Sequence, residues 1–259
     1  MSELRLSGKT AIITGAAQGM GAITAKLFVE NGANVVIADI LEDKGQALAD
    51  ELGDAAVFVK LDVTNEANWQ DAVAAAEKLG PLNVLVNNAG ILAFKSIAEQ
   101  TAEEYTHILN INLVGCYNGI RAAIEPMKRA GCGSIINISS IDGLQAKNSL
   151  SAYASSKWGM RGLTKAAANE LGHHKIRVNT VHPGGINTEM GMGGDENMQE
   201  EELNTFYKNH AIPRTGYAIE VARMSLFLAT DEASYSTGSE FLVDGGWNAG
   251  LGLDFLPKS

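Results

Sequence analysis

The chain has 259 residues, with 20 Lys plus Arg against 30 Asp plus Glu and a formal charge of −10. That balance excludes the cationic footprint of a nucleic-acid binder and the polybasic patch of a membrane anchor. Hydrophobic residues make up 46% and charged residues 19%, which suits a folded chain, and uncharged stretches such as Leu79–Phe94 are too short and too broken for a membrane span.

Apolar runs alternate with helix-period segments from end to end. Lys9–Thr14 reads as a buried strand, Gly21–Asn31 as a helix, Asn34–Asp39 as a strand and Glu42–Leu52 as a helix. Strand Ala56–Leu61, helix Glu66–Leu79 and strand Val84–Asn87 follow, then helix Thr101–Arg129 in two pieces and strand Ser134–Ser139. Helix Tyr153–Leu171, strand Ile176–His182, helix Ala218–Ala229 and strand Glu240–Val243 complete the series. Strands such as Asn34–Asp39 are continuous apolar runs, the pattern of strands covered on both faces. The order predicts an α/β fold: one Rossmann-type domain over 1–259, with a doubly wound sheet of about seven parallel strands and helices on both faces. Residues 187–212 break the rhythm with three glycines at Gly191–Gly194 and five acids at Asp195–Glu202; a segment of this length reads as a substrate lid. No signal-peptide pattern precedes Thr10, and Cys116 and Cys132 form neither a disulfide framework nor a metal set, so the expected compartment is the cytoplasm. His173-His174 are adjacent and rarely face one ion, and the acidic run reads as a solvated face, so no metal is expected.

The first strand ends in Thr14-Gly15-Ala16-Ala17-Gln18-Gly19-Met20-Gly21 and runs into a helix. Glycine is needed where the chain turns tightly, where backbone approaches a pyrophosphate and where the helix packs on the strand. The helix start then offers free N–H groups to phosphates. Asp39 ends the second strand eighteen residues after Gly21, where a carboxylate accepts bonds from both ribose hydroxyls and repels the 2′-phosphate of NADP. Gln18, Ile40 and Leu41 supply no guanidinium for such a phosphate, and Lys44 is the nearby cation. The expected cofactor is therefore NAD.

Thr14-Gly-x-x-x-Gly-x-Gly21, Asn87-Asn-Ala-Gly90, Ser140, Tyr153-x-x-x-Lys157 and Pro183-Gly184 together resemble the classical short-chain dehydrogenases/reductases. The likeness runs from Gly8-Lys-Thr to Val243-Asp-Gly-Gly246, and Ser156–Leu163 with Ile176–Gly184 look most like bacterial NAD-dependent hydroxysteroid dehydrogenases. It implies hydride transfer between NAD(H) and a secondary alcohol or ketone, with a hydroxysteroid or other bulky, apolar cyclic substrate. The rivals are a 3-oxoacyl-carrier-protein reductase, against which Asp39 and Gln18 speak, and a non-catalytic NAD-sensing regulator, which would not need Tyr153 and Lys157.

Tyr153 and Lys157, four apart on a helix, share one face. An ammonium about 4 Å away at an effective dielectric near 20 supplies roughly the 4 kcal/mol that brings a phenol to about neutral pKa. Tyr153 is thus expected to act as base in oxidation and acid in reduction. The resemblance gives Lys157 a second role on the nicotinamide ribose. Ser140 ends the fifth strand and is expected to bond the reacting oxygen. Asn112 matches the asparagine that anchors a water relay to the lysine, with Asn110 as its rival by sequence. By resemblance, Gly15, Gln18, Gly19, Met20, Gly21, Asp39 and Ile40 hold the adenosine and pyrophosphate. Asp62 and Val63 contact the adenine, Asn88, Ala89 and Gly90 pass the ribose, and Pro183, Gly184, Ile186 and Thr188 hold the nicotinamide end. His182 reads as a structural strand-end residue. Specificity is expected from the lid and from Phe94, Leu144, Gln145, Met190, Met192, Phe206 and Tyr207. Small residues on the helices after Leu113 and Tyr153 (Gly115, Gly119, Ala122, Ala123; Gly159, Gly162, Ala166, Ala167) are expected to pair with symmetry mates in a homotetramer. The apolar tail Leu251, Leu253, Phe255 and Leu256 is expected to reach a neighbour.

Overall fold

A computed structural model describes residues 4–190 and 204–253. The elements are β1 (Thr10–Thr14), α1 (Gly19–Glu30), β2 (Asn34–Asp39), α2 (Glu42–Leu52), β3 (Ala56–Lys60), α3 (Glu66–Leu79) and β4 (Leu82–Asn87). Then come α4 (Ala102–Leu109), a π-helical turn (Asn110–Val114), α5 (Gly115–Ala130), β5 (Gly133–Ile138), α6 (Ser151–Leu171) and β6 (Ile176–Pro183). The short strands β7 (Ile186–Asn187) and β8 (Gly216–Tyr217), helix α7 (Ala218–Ala229) and β9 (Glu240–Val243) complete the series.

Seven strands form one parallel sheet in the order β3-β2-β1-β4-β5-β6-β9. Successive side chains leave opposite faces of a strand. Ala11 and Ile13 of β1, with Val35 and Ile37 of β2, therefore pack against Phe28 of α1, Leu48 of α2 and Leu226 of α7. Ile12, Val36 and Ala38 face the other way, onto Trp69 of α3, Ile120 and Met127 of α5 and Met160 of α6. Both faces are covered, which explains the continuous apolar runs; each buried Leu, Ile or Phe contributes about 2 kcal/mol. The strand order reverses between β1 and β4, and a crevice opens there beyond their carboxyl ends.

The helix expected over Thr101–Arg129 does come in two pieces, joined without a break through the π-helical turn. The stripe of small residues is corrected. A Cβ on Gly115 would stand 2.6 Å from Val63, one on Gly119 2.6 Å from Trp69, and one on Gly159 2.7 Å from Leu113. These glycines let α5 and α6 approach their own sheet and each other, and Ala123 and Ala167 are buried with them. Only Gly162 and Ala166 of the set are exposed. The apolar side chains that these helices turn outward are Val114, Tyr117 and Trp158.

Of the lid segment, Gly191–Gly194, Met192 and the acidic run lie outside the described residues, as do Phe255 and Leu256 of the tail. Leu251 and Leu253 are exposed, and the Gly252 N–H donates to the Asn209 carbonyl of the same chain at 2.7 Å.

Candidate active site

The turn after β1 is built from glycine for steric reasons. Gly19 has φ +56°, a left-handed conformation that glycine adopts without strain. A Cβ on Gly21 would stand 2.2 Å from the Gly15 carbonyl oxygen and 2.8 Å from the Ala16 Cα. No side chain caps the start of α1, so its first-turn N–H groups stay available to an anion. Asn88 fastens this turn from below: its Nδ2 donates to the Thr14 and Gly15 carbonyls at 2.9 and 3.0 Å. The Thr14 hydroxyl accepts the backbone N–H groups of Asn88 and Ala89, both at 3.0 Å. Asp39 fastens it from the side. Its Oδ2 accepts the Ala17 N–H at 2.9 Å and its Oδ1 the Leu41 N–H at 3.0 Å.

A cavity of about 540 Å³ begins at this turn, within the range of small-molecule sites. Fourteen of the residues expected from sequence line it: Gly15, Gln18, Gly19, Met20, Asp39, Ile40, Asp62, Val63, Asn88, Ala89, Gly90, Tyr153, Lys157 and Thr188. Asp62 is held by Thr64, whose N–H and hydroxyl both donate to its Oδ1. Gly21 lies beneath the turn and outside the lining. Pro183, Gly184 and Ile186 are also outside it. Ile186 is a core residue packed on Gly216, and Gly184 closes against Asp244.

At the far end of the cavity stand Tyr153 and Lys157. Lys157 Nζ donates to the Ile138 carbonyl at 2.8 Å and lies 5.5 Å from the centre of the Tyr153 ring. Burial lowers the ammonium to about 8. Burial also pushes the Tyr153 phenol up to about 12; a hydrogen bond with Ser140 opposes that rise and the charge of Asp142 adds to it. The expectation that Lys157 alone brings the phenol to neutrality is thereby corrected: the cost of placing a phenolate in this enclosed spot exceeds what the lysine returns at that distance.

Ser140 and Asn112 stand behind the cavity wall. The Ser140 hydroxyl accepts the Asp142 N–H at 3.0 Å, which directs its own proton elsewhere. His182 is fully buried behind it. Its Nδ1–H donates to the Ser140 carbonyl at 2.8 Å, and burial keeps the imidazole below its ordinary pKa. Asn112, also fully buried, is pointed inward by the π-helical turn, whereas Asn110 is exposed. Its Oδ1 accepts the Ile91 N–H at 2.8 Å, and its Nδ2 donates to the Ile91 carbonyl and to the Ser156 hydroxyl at 3.0 and 3.1 Å. A Cβ on Gly90 would sit 3.2 Å from Asn112 Oδ1 and 3.7 Å from Lys157 Nζ, so nothing larger than glycine separates the two.

Sequence reasoning missed several lining residues: Leu61, Ile91, Ile138, Ser139, His107 and Ile111 among them. His107 and Ile111, four apart on the helix that carries Asn112, had a usable signal in that spacing. Among the expected specificity residues, Met190 lines the cavity and is exposed, as are Phe94 and Phe206. Leu144 and Gln145 are half-buried. Tyr207 is half-buried against Trp247, with ring centres 5.6 Å apart, and its hydroxyl covers Gly185. Lys44 donates to Gln18 Oε1 at 2.6 Å and lies 3.7 Å from Glu189. His173 and His174 form a short 3₁₀ turn after α6, with ring centres 3.8 Å apart. Among the described residues, no helix is long and apolar enough to cross a membrane.

A family model described as enoyl-(acyl carrier protein) reductase matches residues 15–248. The chain is 48% identical to a 3-alpha-(or 20-beta)-hydroxysteroid dehydrogenase of Mycobacterium tuberculosis, over 95% of this chain and 92% of that protein. It is 45% identical to a trans-4-hydroxycyclohexanecarboxylate dehydrogenase of Sinomonas cyclohexanicum, over 96% of each. It is 40% identical to an NADP-dependent (R)-specific alcohol dehydrogenase of Lentilactobacillus kefiri, over 95% of this chain and 98% of that protein.

Proposed function

The chain belongs to the short-chain dehydrogenase/reductase family, whose members use a nicotinamide nucleotide, and we propose that it is an NAD(H)-dependent enzyme interconverting a bulky, apolar cyclic alcohol and its ketone. The observation that carries this reading is one continuous cavity with the glycine turn and Asp39 at one end and Tyr153 and Lys157 at the other. Its residues fit a dinucleotide: the turn has no room for a side chain at Gly21, and the first amides of α1 are uncapped.

The choice of NAD rests on Asp39. Each of its oxygens accepts one backbone N–H and keeps a lone-pair direction for a ribose hydroxyl. A 2′-phosphate at that spot meets a carboxylate, and Lys44 is already shared between Gln18 and Glu189.

When bound, the nicotinamide supplies or accepts the hydride. Tyr153 exchanges the proton of the reacting oxygen at its Oη, and Ser140 donates a hydrogen bond to the same oxygen. Lys157 holds the nicotinamide ribose and lowers the cost of the phenolate. Asn112 positions Ile91 and Ser156 around this pair, beside the path by which a proton reaches Lys157. The segment 187–212 serves as the substrate lid.

The hydroxysteroid or cyclohexane-type substrate is drawn from the named relatives and from apolar Ile91, Ile111 and Met190 along the cavity. We assign a homotetramer through the exposed Val114, Tyr117 and Trp158 of α5 and α6, and a cytoplasmic location, which unpaired Cys116 and Cys132 suit. Initial rates with NADH and NADPH on a panel of cyclic ketones, including 3-oxo- and 20-oxosteroids, test the reading. Turnover of cyclic ketones with NADH supports it; absence of turnover with either nucleotide across the panel overturns it.

A further inference from the structure

The loop between β5 and α6 holds a charged pair that the proposed chemistry does not use. Asp142 follows Ser140 by two residues in the 3₁₀ turn Ile141–Gly143, and its own backbone N–H donates to the Ser140 hydroxyl at 3.0 Å. Its side chain is only 10% exposed. Lys147, five residues on, donates to Asp142 Oδ1 at 2.5 Å. The same ammonium lies 4.2 Å above the Trp247 ring, which fixes it from the far side by a cation–π contact. Trp247 in turn stands edge-on to Tyr207 and His210, with ring centres 5.6 and 4.8 Å away. The 3₁₀ turn is also held from α6, where Arg161 donates to the Gly143 carbonyl at 2.8 Å and pairs with Glu240 through both oxygens.

A carboxylate with little access to water is costly, and an apolar pair in its place would be as stable or more so. What the pair adds is field. We propose that Asp142 and Lys147 form an electrostatic couple that sets the working pH of Tyr153, Lys147 neutralising a carboxylate that would otherwise oppose the phenolate. The proposal rests on Tyr153 as the proton carrier.

The other charged and titratable groups facing Tyr153 fit this role for the pair. Lys157 comes from its own helix, with Cys116 of α5 beside that lysine. His182 of β6 lies behind Ser140 and is held neutral by burial. Tyr207 stands beyond Asp142 and feels the same negative charge. His107 of α4 lines the same cavity. The charge of Asp142 acts on Tyr153 to raise its pKa. Among these groups, Asp142 is the carboxylate beside Ser140, and Lys147 is the cation in contact with it.

The signs follow directly. Removing Lys147 uncovers the carboxylate and moves the acidic limb of alcohol oxidation to higher pH. Removing the Asp142 charge leaves the ammonium and moves the limb to lower pH. Removing both restores the native position.

The experiment is the pH profile of kcat/KM for alcohol oxidation by the full-length enzyme and the variants Lys147→Met, Asp142→Asn, Asp142→Asn/Lys147→Met and Lys147→Arg. Expected are opposite shifts of about half a pH unit or more in the two single variants, and native limbs in the double variant and in Lys147→Arg. Limbs that coincide with the native one, or that move in the same direction in both single variants, overturn the proposal. Should Lys147→Met fail to fold, Asp142→Asn against the double variant still reads the Lys147 contribution. Tyr153→Phe is run beside them: retained activity there refutes the Tyr153 reading itself, whereas an inactive Tyr153→Phe with unshifted limbs in the other variants refutes only the couple.

Discussion

Asp39 Oδ2 lies 2.9 Å from the Ala17 backbone nitrogen and accepts its N–H, so the residue assigned to the ribose also fixes the turn that faces the phosphates. Cofactor choice and turn geometry therefore share one side chain, and its substitutions separate into two effects.

NADH is expected to be preferred over NADPH by at least about tenfold in kcat/KM, roughly 1.4 kcal/mol. Asp39→Asn removes the charge but keeps one oxygen for a backbone N–H, and should narrow the gap with a modest loss of NADH activity. Asp39→Ala removes the turn contact as well, and should narrow the gap while lowering NADH kcat/KM further. Steady-state kinetics with both nucleotides check this. Equal use of NADH and NADPH by the native enzyme contradicts the assignment.

Without dinucleotide, Tyr153 should titrate well above an ordinary tyrosine, with a pKa pushed up to about 12. Ultraviolet difference titration of native protein against Tyr153→Phe isolates its phenolate. Binding of the oxidised, cationic nucleotide should move that titration to lower pH, because positive charge favours the phenolate. A Tyr153 phenolate forming near neutrality in the free protein would show that Lys157 alone activates the phenol.

Lys157 makes a linked statement about stability. Its ammonium is lowered from 10.5 to about 8 by burial, so between these values the folded protein holds fewer protons than the unfolded chain. Stability therefore rises with pH across that window. Chemical denaturation between about pH 8 and 10 should show native stability gaining on that of Lys157→Met by about 2–3 kcal/mol. Parallel curves for the two proteins would mean that the lysine is not desolvated.

Gly21→Ala should damage dinucleotide binding without touching the catalytic pair. The new methyl would stand 2.2 Å from the Gly15 carbonyl oxygen and 2.7 Å from Asn88 Nδ2, so the turn or the start of α1 must shift. Dinucleotide affinity should fall about tenfold or more, with a stability cost of about 1–3 kcal/mol. Calorimetric titration with NADH measures the first effect. An unchanged Kd would place the dinucleotide away from this turn.

Much of the sheet was legible because doubly covered strands leave an unmistakable apolar run. Asn34–Asp39 and Glu240–Val243 begin and end where the sequence places them, as do helices Glu66–Leu79 and Ala218–Ala229. The π-helical turn was not legible, since one extra residue in a helical turn has no side-chain signature. Yet it is what buries Asn112 and exposes Asn110. The spacing of Gly115 and Gly119 revealed a shared face but not which way it points, and both face Val63 and Trp69 within the subunit. Lining by His107 and Ile111 depends on how α4 docks, and the Asp142–Lys147–Trp247 contact joins two distant stretches of chain. The Tyr153 pKa was misjudged because spacing along a helix fixes the side shared with Lys157, not the desolvation at its end.

The central claim is tested most directly by consumption of NADH with a bulky cyclic ketone, followed side by side in native protein and Tyr153→Phe, with NADH binding measured in both. The account predicts turnover by the native enzyme and a loss of about 10² or more in Tyr153→Phe, with NADH affinity preserved. Retention of most of the activity by Tyr153→Phe would contradict it, because the reacting proton would then be carried by another group.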